Sequence, residues 1–149
     1  TLCLIIQDER VLLSIKKLGR LGVGYWNGYG GTVEVEKGET VEHAVIREVE
    51  EEAGVTPRDI VKLGQVLYRF TPGNFRLEMH IYRAESFNGK PRESPEMGEP
   101  TWFSFDALPE AMWRGDRLWL PYVFSGTKFS GTIDHDENNN VIAHDIRVG

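Results

Sequence analysis

Apolar residues fall in short runs along most of this 149-residue chain, and only one segment keeps a long helical period. Leu2–Gln7 and Val11–Lys17 have strand length, and the polar Asp8-Glu9-Arg10 between them predicts a hairpin. Thr1–Ile6 lacks a basic leader and a small-residue cleavage site, so it reads as a buried strand rather than a signal segment. Leu18–Gly31 carries six glycines and predicts a loop leading to a short strand. Thr40–Ala53 repeats its apolar residues at helical spacing, with Gly54 as the stop. Ile60–Thr71 and Phe75–Glu85 read as strands joined by Pro72-Gly73-Asn74, and the Pro- and Gly-containing stretch Ser86–Pro100 reads as a surface loop. Thr101–Phe105 predicts a short strand, Asp106–Ala111 a brief helical turn and Leu118–Ser125 a last helix. Phe129–His135 and Val141–Val148 predict a closing hairpin around Asp136–Asn140. Strands interleaved with about two substantial helices imply a mixed sheet covered by helices.

Composition adds bounds. Forty per cent hydrophobic and 27% charged residues exclude long disorder, and the length suits one domain over residues 1–149. Seventeen Lys and Arg against 23 Asp and Glu leave a net charge of −6, which argues against a nucleic-acid coat. It does not argue against a phosphate ligand reached through a metal. No apolar run approaches the ~20 residues that span a bilayer. The single cysteine, Cys3, excludes an internal disulfide and points to a reducing compartment, the cytoplasm.

The helix predicted over Thr40–Ala53 concentrates this acidity. Residues 39–52 hold six glutamates and one base, Arg47, which is −5 of the net −6. With Val41 at 0° and a step of about 100°, Val45, Val49 and Ala53 form a core stripe from about 40° to about 120°. Glu52 falls at about 20°, between Val41 and Val45, and Glu48 lies beside it, whereas Glu50 faces away. Glu48 and Glu52 are an i,i+4 like-charge pair that costs a helix about 0.2–0.5 kcal/mol. Their place in the last turns adds about 0.3–1 kcal/mol from the helix dipole. The residues alone leave two readings open. One is a solvated acidic face; the other is a site for a hard divalent cation, which would remove the conflict.

Arg47-Glu48-Val49-Glu50-Glu51-Glu52-Ala53-Gly54-Val55 resembles the second half of the Nudix box, and Glu39 matches its earlier glutamate. Gly30-Gly31 resembles its opening glycine, with seven residues rather than five before Glu39, a two-residue insertion. Tyr25-Trp26-Asn27-Gly28-Tyr29-Gly30-Gly31, Gly64-Gln65, Met112-Trp113 and Trp119-Leu120-Pro121 resemble the oxidised-purine branch of that family, with similarity over nearly the whole chain. The resemblance implies a Nudix α/β/α sandwich with a mixed β-sheet. It implies Mg²⁺-dependent, or Mn²⁺-dependent, hydrolysis of oxidised or modified purine nucleoside triphosphates to monophosphate and pyrophosphate. The expected protein is a cytoplasmic monomer acting on a small nucleotide, with no nucleic-acid or membrane partner. Two other readings stay open: hydrolysis of another nucleoside diphosphate derivative, and a catalytically weak nucleotide-binding or sensing module.

The expected cation ligands are Glu48, Glu51 and Glu52, with Glu96 and the Gly30 carbonyl added by the resemblance. Arg47 is expected to orient the glutamates and Glu39 to brace the loop; one of Glu48, Glu51 or Glu52 activates the water. For the base, Asn27 offers a donor and an acceptor and Trp113 a stacking face. Tyr68 and Phe70 alternate on a strand and share one face, which by resemblance lines the pocket with Thr1, Leu2, Leu21 and Leu77. The human-like members of the branch carry two adjacent base-reading aspartates after the Met-Trp pair. Here the aligned residues are Gly115 and Asp116, so one carboxylate remains and the rank order among purines is expected to differ.

Several patterns carry no chemistry. Asp134 to Asp145 imitates an EF-hand loop, but Asn139 stands where the turn glycine belongs, so a hairpin turn is expected. Gly24–Gly31 is followed by no Gly-Lys-Ser/Thr and is not a P-loop. Cys3 reads as a buried structural thiol, His43 as solvent-facing and His80 as a sheet residue.

Overall fold

The computed structural model describes residues 1–149. The first hairpin pairs β1 (Leu2–Gln7) with β2 (Arg10–Ile15) antiparallel, in the register Ile5 opposite Leu12. Its two turn residues, Asp8 and Glu9, both adopt left-handed backbone, at φ 52° and 58°. That is the turn whose twist matches a right-twisted strand pair. After the glycine-rich loop, β3 (Trp26–Asn27) adds to β2. Helix α1 (Val41–Ala53) follows, with Thr40 as its cap, the Thr40 hydroxyl accepting from His43 N at 3.2 Å. Gly54 ends it in left-handed backbone at φ 73°, as the glycine predicted.

Beyond the helix come β4 (Thr56–Arg58), β5 (Val61–Thr71), β6 (Phe75–Ala84), β7 (Ser86–Asn88) and β8 (Thr101–Ser104). Helix α2 (Asp116–Ser125) and the hairpin β9 (Phe129–Asp136) and β10 (Val141–Val148) complete the chain. The main sheet runs β10-β9-β5-β6-β1-β2-β3, with β8 also on β2. β1 is parallel to β6 and β5 to β9, and the other pairs are antiparallel, so the sheet is mixed.

Strand alternation explains the layering. Leu2, Leu4 and Ile6 enter one apolar cluster with Trp119, Leu120 and Val123 of α2. Cys3 and Ile5 enter a second cluster with Val45, Val49 and Ala53 of α1. One helix therefore covers each face, which is the α/β/α arrangement expected above. No helix is long and apolar enough to cross a membrane.

Three local expectations need correction, and the shape of the inserted loop is resolved. Ser86–Pro100 is not all loop: β7 pairs with β4 in a second, two-stranded sheet. Strands of three residues, one containing Pro57, are too short for an alternation to register. Asp106–Ala111 makes a turn, with Ala107 N donating to Ser104 O at 3.0 Å, but no helix. Helix α2 begins two residues before the apolar run, at Asp116. The two-residue insertion folds into a single 3₁₀ turn, Val35–Lys37, closed by Gly38 at φ 76°. Val35 is 72% exposed, so the extra residues bulge into solvent and leave α1 undisturbed.

Candidate active site

Arg47 is the hub of the first half of the site. Its Nε and one terminal nitrogen grip both oxygens of Glu39, at 2.7 and 2.9 Å. Its other terminal nitrogen meets Glu48 at 2.9 Å and Glu51 at 3.3 Å, and its fork also donates to Thr32 O at 3.2 Å. A planar guanidinium can hold this many partners because its donors diverge in one plane. Glu39 also accepts from Glu34 N at 2.9 Å, so it bridges the foot of the inserted turn to the helix. These bonds hold the Glu39 carboxyl far below the usual carboxylate range, the Arg47 bonds being the largest cause.

The wheel placed Glu48 and Glu52 toward the core, and both are buried, at 9% and 6% exposed. Glu50 and Glu51 are exposed. Glu52 accepts from Gly30 N at 3.0 Å. Glu96 is carried to the same place by its neighbour. Met97 is buried in the α1-side cluster, and Lys17 N donates to Glu96 O at 2.8 Å. One carboxylate oxygen from each of Glu48, Glu52 and Glu96 lies within 4.8 Å of the others. Glu51 is outside this trio, held beside Arg47. Burial pushes the Glu52 carboxyl up to about 8, with repulsion from Glu48 and Glu96 adding to it and the Gly30 N–H opposing it. Burial also raises Glu48, against the pull of Arg47. Glu48 and Glu52, desolvated and resisting ionisation, form with Glu96 an all-oxygen donor set that fits a hard divalent cation.

The opening glycines are required by contact. A Cβ on Gly30 would lie 1.9 Å from Thr1 O, and one on Gly31 would lie 2.3 Å from Glu48 Oε1. Thr1 brackets this turn, its hydroxyl 3.3 Å from Gly31 O. The Gly30 contact that the structure records with the acids is through its N–H.

The second half of the site is aromatic. Tyr68 and Phe70 stack with centroids 6.0 Å apart, and Trp113 stands edge-on to Phe70 at 5.8 Å and to Tyr25 at 5.1 Å. Leu77 lies opposite Tyr68 in the β5–β6 register and is 37% exposed, and Leu2 is buried in the same cluster as Tyr68. Leu21 is half-buried in the loop whose Gly22 approaches the Trp113 indole. Asn27 is bonded to none of these. It sits opposite Ser14 on β3, its Oδ1 accepts from Gly28 N at 2.8 Å, and its Nδ2 is unpaired. Asp116 is buried in the first turn of α2 and accepts from the Tyr68 hydroxyl, which in turn accepts from Trp119 Nε1 at 2.8 Å.

One member of this half, and one chain of hydrogen bonds, escaped the sequence reading. His135 lies edge-on to Trp113 at 5.2 Å, and its Nε2 accepts from Gly115 N at 3.2 Å. Its Nδ1 is the one fully buried side-chain polar atom without a partner. A Cβ on Gly115 would come within 3.1 Å of Tyr68, His135 and Ile133, so this packing leaves little room for the missing aspartate. The Trp119–Tyr68–Asp116 chain was equally invisible, because it joins three elements. The inward parity of His135 with Ile133 on the predicted hairpin was the only available signal.

The residues set aside behave as simple structure. Cys3 is buried without a bonding partner, and burial pushes its thiol up to about 12. His43 is exposed and touches Glu39, and His80 meets Lys62 Nζ at 2.8 Å on the sheet. Asp136 Oδ1 accepts from Asn138 N and Asn140 N, which closes the hairpin turn and not a calcium loop.

Comparison with known proteins agrees with this geometry. The NUDIX domain model matches residues 1–123. The chain is 39% identical over 147 residues to the oxidized purine nucleoside triphosphate hydrolase of Danio rerio, covering 98% of this chain and 92% of that one. It is 36% identical over 148 residues to the protein of the same name from Mus musculus, covering 99% and 92%. Among solved structures, a MutT protein from Bacillus halodurans superposes with a TM-score of 0.84 over 97% of this chain and 94% of its own; at 24% identity this speaks to fold alone. A MutT NUDIX hydrolase from Burkholderia pseudomallei gives 0.73 at 30% identity over 80% and 92%. With a box helix that turns its glutamates inward and relatives aligned from end to end, this chain belongs to the NUDIX hydrolase family.

Proposed function

We propose that this protein hydrolyses oxidised or modified purine nucleoside triphosphates to the monophosphate and pyrophosphate, using Mg²⁺. The observation that carries the reading is the pairing of two half-sites. An acidic trio on and beside α1, two of its members buried, is reached through the Gly28–Gly31 turn that continues directly from Asn27. An aromatic group with a single buried carboxylate stands on the other face of the sheet. The 39% and 36% identical proteins named for oxidised purine triphosphates support the same substrate class.

In this reading Glu48, Glu52 and Glu96 hold the cation, with Glu51 and the Gly30 carbonyl available to it. When bound, the cation neutralises phosphate charge and lowers the pKa of an attacking water. Arg47 and Glu39 position the glutamates, because the Arg47 fork ties Glu48 and Glu51 to the loop at Thr32 and Glu39. Trp113 and Phe70 offer faces for base stacking, Asn27 offers an unpaired Nδ2, and Asp116 offers a carboxylate to the purine edge. Thr1, Leu21 and Leu77 complete the walls.

The test is a pyrophosphate-release screen over normal, 8-oxo, 2-hydroxy and methylated purine triphosphates and pyrimidine controls, with Mg²⁺, Mn²⁺ or chelator. Cation-dependent release from purine substrates is expected. Equal turnover of pyrimidine triphosphates would overturn the base assignment, and no turnover with either cation would leave a binding module instead.

A further inference from the structure

Asp116 is 3% exposed, and the protein supplies one hydrogen bond to its carboxylate, from Tyr68 to Oδ1. The direction of that bond is set from behind. An indole N–H can only donate, so Trp119 Nε1, 2.8 Å from the Tyr68 oxygen, fills a lone pair there and sends the phenolic proton to Asp116. Asp116 Oδ2 receives no protein donor and is not among the sealed, unpartnered atoms, so it keeps access to solvent. Asp116 also opens helix α2, where the backbone dipole favours a negative charge. The titratable groups facing it are Tyr68 from β5 and, one residue away, His135 from β9. His135 accepts from Gly115 N through Nε2, which keeps the imidazole neutral. Arg114 and Arg117 turn instead to Asn140 and to Pro109 O.

We propose that Tyr68 is the specificity-positioning residue of the base pocket: its hydroxyl, oriented by Trp119, keeps Asp116 a hydrogen-bond acceptor and biases the site toward purines that present N–H donors on their pairing edge. The inference rests on the purine reading above. Guanine-type bases present N1–H and a 2-amino group to such an acceptor. Adenine-type bases present a lone pair at N1, which an ionised carboxylate repels and only a protonated one can satisfy. Burial pushes the Asp116 carboxyl up to about 7, and the Tyr68 bond acts against that push. The hydroxyl therefore works where the balance of the two forms decides which base fits. The second aspartate of the human-like branch is absent at Gly115, so this single tuned carboxylate carries the discrimination.

The test is Tyr68→Phe, which keeps the ring stack with Phe70 and deletes the donor. Tyr68 acts through Asp116, so its removal should leave kcat near wild type and act on KM. The ratio of kcat/KM for guanine-type over adenine-type triphosphates should fall about tenfold, the worth of one hydrogen bond to a charged acceptor. The acid limb of kcat/KM for the guanine-type substrate should move up by about one pH unit. An unchanged ratio and an unchanged pH limb in the folded variant would overturn this inference while leaving the purine reading intact. Absence of purine preference in the wild type would overturn both. A second measurement needs no variant. Calorimetric binding of guanosine and adenosine monophosphates to the wild-type protein from pH 5.5 to 8.5 should show the guanine ligand weakening on acidification and the adenine ligand not. Parallel curves for the two ligands would also overturn the inference.

Discussion

Replacing Glu52 with glutamine separates the cost of the acidic trio from its use. The Glu52 carboxyl titrates near 8 in the folded protein, against 4.5 in the unfolded chain, because it is buried and faces Glu48 and Glu96. A raised carboxyl pKa means that the folded state holds its proton longer, so the Glu52 contribution to stability is greatest below pH 4.5. It is lost progressively as the pH rises from 4.5 to about 8. At pH 7 the penalty is about 3 kcal/mol, at about 1.4 kcal/mol per pH unit. Glutamine keeps the oxygen that accepts from Gly30 N and offers an amide to the neighbouring carboxylates. In chelator at pH 7, E52Q should therefore be more stable than wild type by up to about 3 kcal/mol. With an m-value of about 2 kcal/mol/M, the urea midpoint would rise by about 1.5 M. The gap should close toward pH 4.5. Added Mg²⁺ should stabilise wild type by mass action and E52Q far less, while kcat falls at least about 10²-fold. Urea titrations at pH 4.5, 6, 7 and 8 in both media are the assay. Equal pH dependence of the two proteins in chelator, or equal stabilisation of both by Mg²⁺, would refute the assignment of Glu52 as a buried charge relieved by a cation.

Three further perturbations address other parts of the site. R47K keeps the charge but loses the fork that joins Glu39, Glu48, Glu51 and Thr32; kcat should drop about 10–100-fold with the melting transition still cooperative, and near-wild-type rates would show that positioning by Arg47 is dispensable. G31A places a Cβ 2.3 Å from Glu48 Oε1, so Glu48 must move. Hydrolysis should fall at least about tenfold, and unchanged steady-state rates would contradict the close approach. W113A removes a stacking face worth about 1–3 kcal/mol; KM for a purine triphosphate should rise by about 5- to 150-fold with a much smaller change in kcat.

How much of this was legible in the chain differs by element. The inward turn of Glu48 and Glu52 followed from a 100° step along α1, because a helix carries its own geometry. The same holds for Thr40 and Gly54 as its ends and for the first hairpin, all of which depend on residues within a few positions of one another. The acidity of the whole protein was likewise localised to one helix before any coordinates, since counting charges requires no fold. Even the departure at Gly115 was visible by alignment with the family pattern.

Tertiary structure alone decided the rest. Glu96 was named beforehand by the family resemblance and by no local pattern; what brings it to Glu48 and Glu52 is the seating of Met97 in the α1-side cluster, which draws the loop against the helix. The inserted residues became a harmless 3₁₀ bulge because Glu39 and Arg47 bind its foot from the helix side. Above all, Tyr68, Asp116, Trp119 and His135 come from β5, α2 and β9 and meet across a parallel pairing that no local pattern encodes. Sequence determined by periodicity which glutamates turn inward, and the family resemblance supplied their use and the lining of the base pocket. The proton arrangement of the base pocket arose from long-range packing, because hydrogen bonds between residues some fifty positions apart exist only once the sheet has ordered its strands.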